Sequence, residues 1–245
     1  QILFEKKVEM TGNTTTLTLD LLNDQDYTVL FWANKKGESY FNVDDLRNVQ
    51  VKDADETKDG IQVVANCDDR DAFCGIDQIS QHDGAQSKTV TLTRPFAQLN
   101  VGAFPFDWEY AKDFHKLEAK LSGSKISSVP NSMNLLTGEV SGSTDVEFAA
   151  ANMLSDNLMV DVDGNGVYEE YTYLSMSYIL ASEEETMHTM SFVFSDKFGY
   201  TATHNCNEKI PVRRNWRSNI VGQVLTDNGE IDIVFDPGYI DSENI

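Results

Sequence analysis

Tyr171-Thr172-Tyr173-Leu174-Ser175-Met176-Ser177-Tyr178 is the stretch on which the fold reading turns. It is a long alternating run, and a period of two belongs to a β-strand rather than a helix. The same rhythm recurs on both sides of it. Downstream, Met190, Phe192 and Phe194 share one face of the next run, and Tyr200-Thr201-Ala202-Thr203 follows a Phe198-Gly199 turn as in a hairpin. Ile210 and Val212 flank Pro211, and Ile231, Ile233 and Phe235 alternate with Asp232, Val234 and Asp236. Upstream, Thr16-Leu17-Thr18-Leu19-Asp20-Leu21 puts its leucines on one face after a Gly12-Asn13 turn signal, which predicts a half-buried strand. Val90 and Leu92 alternate with Thr89, Thr91 and Thr93, and an apolar run continues past Pro95, which predicts an edge or bulge there. Tyr27 to Trp32 is apolar on both faces and predicts a central strand covered on both sides, and Ile61 to Ala65 is a further strand. Ile2 to Met10 opens the chain as another.

Helical signal is thin. Asp107 to His115 predicts a short helix capped by Asp107, and Val146 to Leu154 reads as a second helix or a loop. Many short strands separated by turn signals predict an all-β sandwich protein rather than βαβ units. The polar run Ser80 to Lys88 separates two strand-rich halves, which predicts domains at 1–88 and 89–245.

The chain has 245 residues, enough to bury a sizeable core without disulfide staples. With 19 Lys+Arg against 40 Asp+Glu, its net charge is −21. Such a surface repels nucleic acid and anionic membranes and keeps the protein dispersed. Of three cysteines, Cys67 and Cys74 lie in one loop-like stretch. They either close a short disulfide loop in an oxidising compartment or remain structural thiols, and no zinc spacing is present. The sequence opens at Gln1, so any export signal lies upstream of it.

The motif richest in chemistry is Asp161-Val162-Asp163-Gly164-Asn165-Gly166. It matches the first half of a calcium loop, with oxygen ligands offered by Asp161, Asp163 and Asn165. Position twelve is Thr172 instead of a bidentate Glu, and the flanks read as strands. A tight hairpin turn is therefore the competing reading, with calcium as the one cofactor to consider. Glu183-Glu184-Glu185 reads as a solvated loop, since adjacent carboxylates do not span a sugar ring. Arg214, Trp216 and Arg217 can contact a glycan by stacking and hydrogen bonding, or can serve the protein's own packing. His82, His115, His188 and His204 are scattered and lie beside no nucleophile motif, and no phosphate-cradling glycine loop occurs. The sequence makes no case for catalysis.

Two segments resemble a known family. Leu92-Thr93-Arg94-Pro95-Phe96-Ala97-Gln98-Leu99-Asn100-Val101 resembles the "L-x-R-x-x-A-x-x-x-V" strand of the Bacteroidales fimbrillin-like proteins. Ile210 to Gly222, running on to Leu225-Thr226, resembles their C-terminal "V-x-x-N-x-R-T-N-I-x-G-x-x-L-T" segment. The Tyr27 to Trp32 strand and the Asn134-Leu135-Leu136-Thr137-Gly138 turn fit the same pattern. The resemblance implies two tandem transthyretin-like, Greek-key β-sandwich domains with few short helices. It further implies an exported cell-surface or fimbrial lipoprotein, held at the outer membrane by an anchor upstream of this chain. Its expected partners are other pilin subunits, joined by β-strand addition, and a host or dietary glycan or protein. An exposed sheet edge offers unpaired N–H and C=O groups to an extended segment from a neighbour. By that logic the assembly residues are Ile2, Phe4 and Val8 in the first strand and Ile231, Ile233 and Phe235 in the last. The alternative role is a surface glycan-binding lipoprotein serving polysaccharide capture. The family's basic cleavage site before the first strand is missing, so stalk, tip and anchor roles all stay open.

Overall fold

The computed structural model describes residues 4–37, 40–52, 61–81, 84–114, 121–195, 201–226 and 231–237. Ile2, His82, His115 and the Phe198-Gly199 turn lie outside them. In chain order the strands begin β1 Gln25–Asn34, β2 Phe41–Asn42, β3 Val49–Val51, β4 Ile61–Val64, β5 Ala72–Gln81 and β6 Phe96–Ala103. Helix α1 Pro105–Phe114 follows, then β7 Leu121–Val129, β8 Ser132–Met133, β9 Val140–Ser141, β10 Thr144–Asn152 and β11 Asn157–Val160. The chain continues with β12 Glu169–Leu180, β13 Thr186–His188, β14 Met190–Ser195, β15 Thr201–Asn205, β16 Ile210–Val212, β17 Arg217–Gly222 and β18 Ile231–Asp236. The protein is all-β, with α1 and a 3-10 turn at Asp68–Arg70 as its helical pieces among the described residues.

Two five-stranded sheets, ordered β15-β14-β7-β10-β4 and β11-β12-β6-β17-β18, supply the main core. Alternation decides what each strand contributes. In β14, Met190, Phe192 and Phe194 turn inward while Ser191, Val193 and Ser195 are half-buried. They meet Leu99, Val101 and Ile220 from the second sheet in one cluster. Strand β6 is buried along its whole length. Its odd-numbered residues join the main core, while Phe96 joins a second cluster with Phe41, Met133, Met176 and Tyr178. The two parallel pairs are β10 with β4 and β17 with β6. A division at residue 88 cuts two ladders, since β3 pairs with β8 and β4 with β10.

Several local readings change in the structure. Residues 4–22 form no strand, although Leu17, Leu19 and Leu21 are half-buried and their polar neighbours exposed. Phe4 and Val8 are exposed, at 48% and 46%. The alternating segment Thr89 to Thr93 makes one bridge, Thr93 to Cys74. The Tyr27 to Trp32 stretch is not a doubly covered central strand: β1 belongs to a two-stranded sheet with β5 and is mostly half-buried. Pro95 marks neither an edge nor a bulge in β6; it immediately precedes the strand, where its missing N–H costs the ladder nothing.

The Val146 to Leu154 stretch is strand β10, not a helix or loop. Alanine's helix preference is worth only tenths of a kcal/mol per residue and yields to ladders on both sides. Its register slips between Phe148 and Ala151 opposite β7. Gly123 lies at that slip, where an added Cβ would strike the Phe148 carbonyl and come within 2.9 Å of the Ala150 nitrogen. A glycine is required where two backbones approach so closely.

The predicted helix forms, but Asp107 does not cap it. Pro105 occupies the first helical position, where a missing N–H is harmless. Asp107 is fully buried and accepts hydrogen bonds from the Leu225 amide at 2.9 Å and the Thr226 hydroxyl at 2.6 Å. The carboxylate thus ties the helix to the segment that follows β17.

Candidate functional site

The sequence-predicted site residues fall in four places. Ile231, Ile233 and Phe235 lie on β18, an outermost strand of its sheet among the described residues, paired only with β17. Ile231 and Ile233 pack against the main core, while Val234 packs toward a third cluster of Leu158, Val160, Tyr171 and Val221. Each residue of β18 is half-buried, so the strand is anchored by apolar area as well as by its ladder. Phe4 and Val8 lie in the unladdered segment, where Lys6 Nζ donates to the Thr18 carbonyl at 3.0 Å and Lys36 pairs with Glu9 at 2.5 Å. Exposed pairs of this kind are worth little.

The Arg/Trp segment is a packing device. The Trp216 ring lies 4.6 Å from Phe235, and the Arg213 guanidinium sits 4.9 Å from its centroid. Arg214 reaches the Ala181 carbonyl at 3.1 Å, the Gly138 carbonyl at 2.6 Å and the Glu183 carboxylate at 3.1 Å. Burial lowers the Arg214 pKa, and Glu183 opposes that shift. Arg217 stands opposite Asp236 across the β17–β18 ladder. Of the three glycan-contact candidates, Trp216 and Arg217 are thus gathered with β18, and Arg214 is committed to the Gly138 and Glu183 loops.

The rest of the segment has equally definite work. Asn215 adopts a left-handed φ of 60° and donates its amide to the Phe96 carbonyl at 2.8 Å. Ser218 is fully buried and bonds the Pro211 carbonyl, Ile220 is in the core, and Thr226 holds Asp107. Arg94, from the other resembling segment, is buried with Asp71, its Nε 2.8–2.9 Å from the carboxylate oxygens, and lies over the Phe73 ring at 4.7 Å. In the Asn134 to Gly138 turn, the Gly138 amide donates to the Asn134 carbonyl at 2.8 Å with φ 76°.

Asp161, Asp163 and Asn165 share the loop of the β11–β12 hairpin, so both flanks are strands. Asp161 accepts the amides of Asn165 and Gly166 at 3.1 and 2.8 Å, and Asn165 donates to Asp163 at 2.8 Å. These bonds close the turn from within. Among the described residues no group of three His, Cys, Asp or Glu side chains is placed to hold a metal. Cys67, Cys74 and Cys206 are free thiols, and burial pushes the Cys74 thiol up to about 11.

Sequence reading missed Arg70. It is 5% exposed, its Nε has no hydrogen-bond partner among the described residues, and its guanidinium lies 4.9 Å from the Tyr40 centroid. Burial pulls its pKa down to about 10. Asp68-Asp69-Arg70 reads in sequence as a solvated charge run, so no local signal could have singled it out.

Fold and site together define an all-β protein in which β18 is an outer strand laddered on one side among the described residues. The chain belongs to a family of unknown function, DUF6562, whose profile matches residues 1–244. No curated protein matches it. Among solved structures it is similar to a candidate cell adhesion protein from Bacteroides uniformis, at TM-score 0.46 and 11% identity over 86% of this chain and 72% of that one. It is also similar to a candidate adhesin from Bacteroides thetaiotaomicron, at 0.45 and 10% over 90% and 78%. A third likeness is to the C-terminally truncated tip fimbrial protein Mfa3 of Porphyromonas gingivalis, at 0.37 and 10% over 76% and 70%.

Proposed function

We propose that this protein is an exported, non-enzymatic cell-surface fimbrial subunit or adhesin that assembles by strand addition. The observation that carries the reading is the contrast between two end segments. Within the segment 4–22, residues 17–21 alternate between half-buried and exposed as a strand does, and the segment belongs to no ladder, while β18 is laddered on one side only among the described residues. A segment that no backbone ladder holds is the one most easily displaced, and an outer strand can accept or donate pairing. The resembling segment around Asn215 lends the same support, since its amide bonds the Phe96 carbonyl at the start of β6, in the sheet to which β18 belongs.

The test is to remove residues 1–22 by limited proteolysis or truncation and follow size by exclusion chromatography with light scattering. Trimmed protein forms concentration-dependent oligomers and the intact chain does not. Trimmed protein that stays folded and monomeric at every concentration removes strand addition from the account.

A further inference from the structure

Three arginines are largely buried, and they differ in what faces them. Arg94 has the Asp71 carboxylate and Arg214 has the Glu183 carboxylate. Arg70 makes no ion pair among the described residues. Among the described residues, the ionisable groups that interact with it are the Cys67 thiol and the Tyr40 phenol, not carboxylates. This is notable in a chain with 40 acidic residues. A buried cation without an opposite charge is costly, and side chains of this kind are normally paired.

Arg70 also lines a small cavity of about 10 Å³. The cavity sits where the ends of the two five-stranded sheets meet, among Phe96, Val129, Val146, Tyr178 and Leu180. At about 10 Å³ the cavity has room for one water or one monatomic ion. With one face of the guanidinium over Tyr40, hydrogen bonding is left to the in-plane N–H groups. The Nε hydrogen has no acceptor among the described residues.

We infer that the Arg70 cavity is a binding site for a halide-sized monovalent anion, chloride in solution, which neutralises the buried guanidinium. At about 10 the guanidinium is still charged at neutral pH, so the site is not switched off under ordinary conditions. A neutral water in the same place would leave the charge uncompensated.

Crystals of the unsubstituted chain grown in sodium bromide, measured at the bromine edge, give an anomalous peak beside the Arg70 guanidinium. In solution the melting temperature is about 2 °C higher in 0.2 M chloride than in gluconate of equal ionic strength, as binding to the native state alone requires. Arg70→Met abolishes that difference. The inference is overturned by a bromide map with no peak at Arg70, or by a chloride effect that persists in full in folded Arg70→Met protein. The bromide measurement needs no variant, so a substitution that prevents folding leaves the site open to refutation.

Discussion

Thr16-Leu17-Thr18-Leu19-Asp20-Leu21 and Met190-Ser191-Phe192-Val193-Phe194-Ser195 carry the same two-residue rhythm and meet different fates. The second becomes β14, laddered to β7 on one side and β15 on the other, with Phe192 and Phe194 at 1% and 0% exposure. The first stays extended and unladdered, with its leucines only half-buried. Thr89 to Thr93 lies between these extremes, with its single bridge to Cys74 formed by a 2.8 Å and a 3.0 Å hydrogen bond. Periodicity therefore fixes which face of a segment turns inward. It does not fix whether another backbone lies alongside to satisfy the N–H and C=O groups.

The largest effect belongs at the laddered end of this series. Phe192→Ala removes a large side chain from the contact between the two sheets, and urea denaturation should show a loss of about 3–5 kcal/mol. A loss below about 1 kcal/mol would mean that β14 does not hold the core as its burial implies.

The intermediate case is read through Cys74, where the single-bridged segment joins β5. Its thiol is raised from 9.0 to about 11 in the folded state, first by burial. The folded protein therefore holds this proton more tightly than the unfolded chain. The stability it supplies is whole below pH 9.0 and is lost as pH rises toward 11, a change of about 2 kcal/mol. Burial and the Glu169 hydrogen bond raise the Tyr171 phenol as well, in the same direction. Cys74→Ala should flatten the alkaline fall between those pH values, and an unchanged slope would show that Cys74 is not its source.

The smallest effect belongs to the unladdered segment. Leu19→Ala should cost about 1 kcal/mol or less, in keeping with partial burial, and the amides of residues 16–21 should exchange far faster than those of β14. Strong exchange protection there would mean that these amides are paired after all, and the contrast would fail.

Individual residues show how far the sequence reached. Strand β14 was legible because it has one face against the core and alternation records that directly, while β12 and β18 were legible from the alternation of their residue types although both of their faces meet apolar clusters. The Asp161 loop was legible as a hairpin turn because its glycines and flanking strands are local features. Strand β10 was not, because Ala149, Ala150 and Ala151 favour a helix until β4 and β7 capture them. Asp107 looked like a cap because its true partners, Leu225 and Thr226, are more than a hundred residues away. For the same reason the sequence left Arg214 and Trp216 open between glycan contact and the protein's own packing, since Gly138, Glu183 and Phe235 come to them only in the fold.

The sequence by itself determined the class of the protein, all-β with little helix, together with its acidic surface and the inward face of clearly alternating strands such as β14. Those follow from local periodicity and composition, which act over a few residues. Tertiary structure alone decided which alternating segments gain ladder partners and which arginines gain a carboxylate. Both depend on groups far apart in the chain, and only the packed sheets bring them within hydrogen-bonding distance.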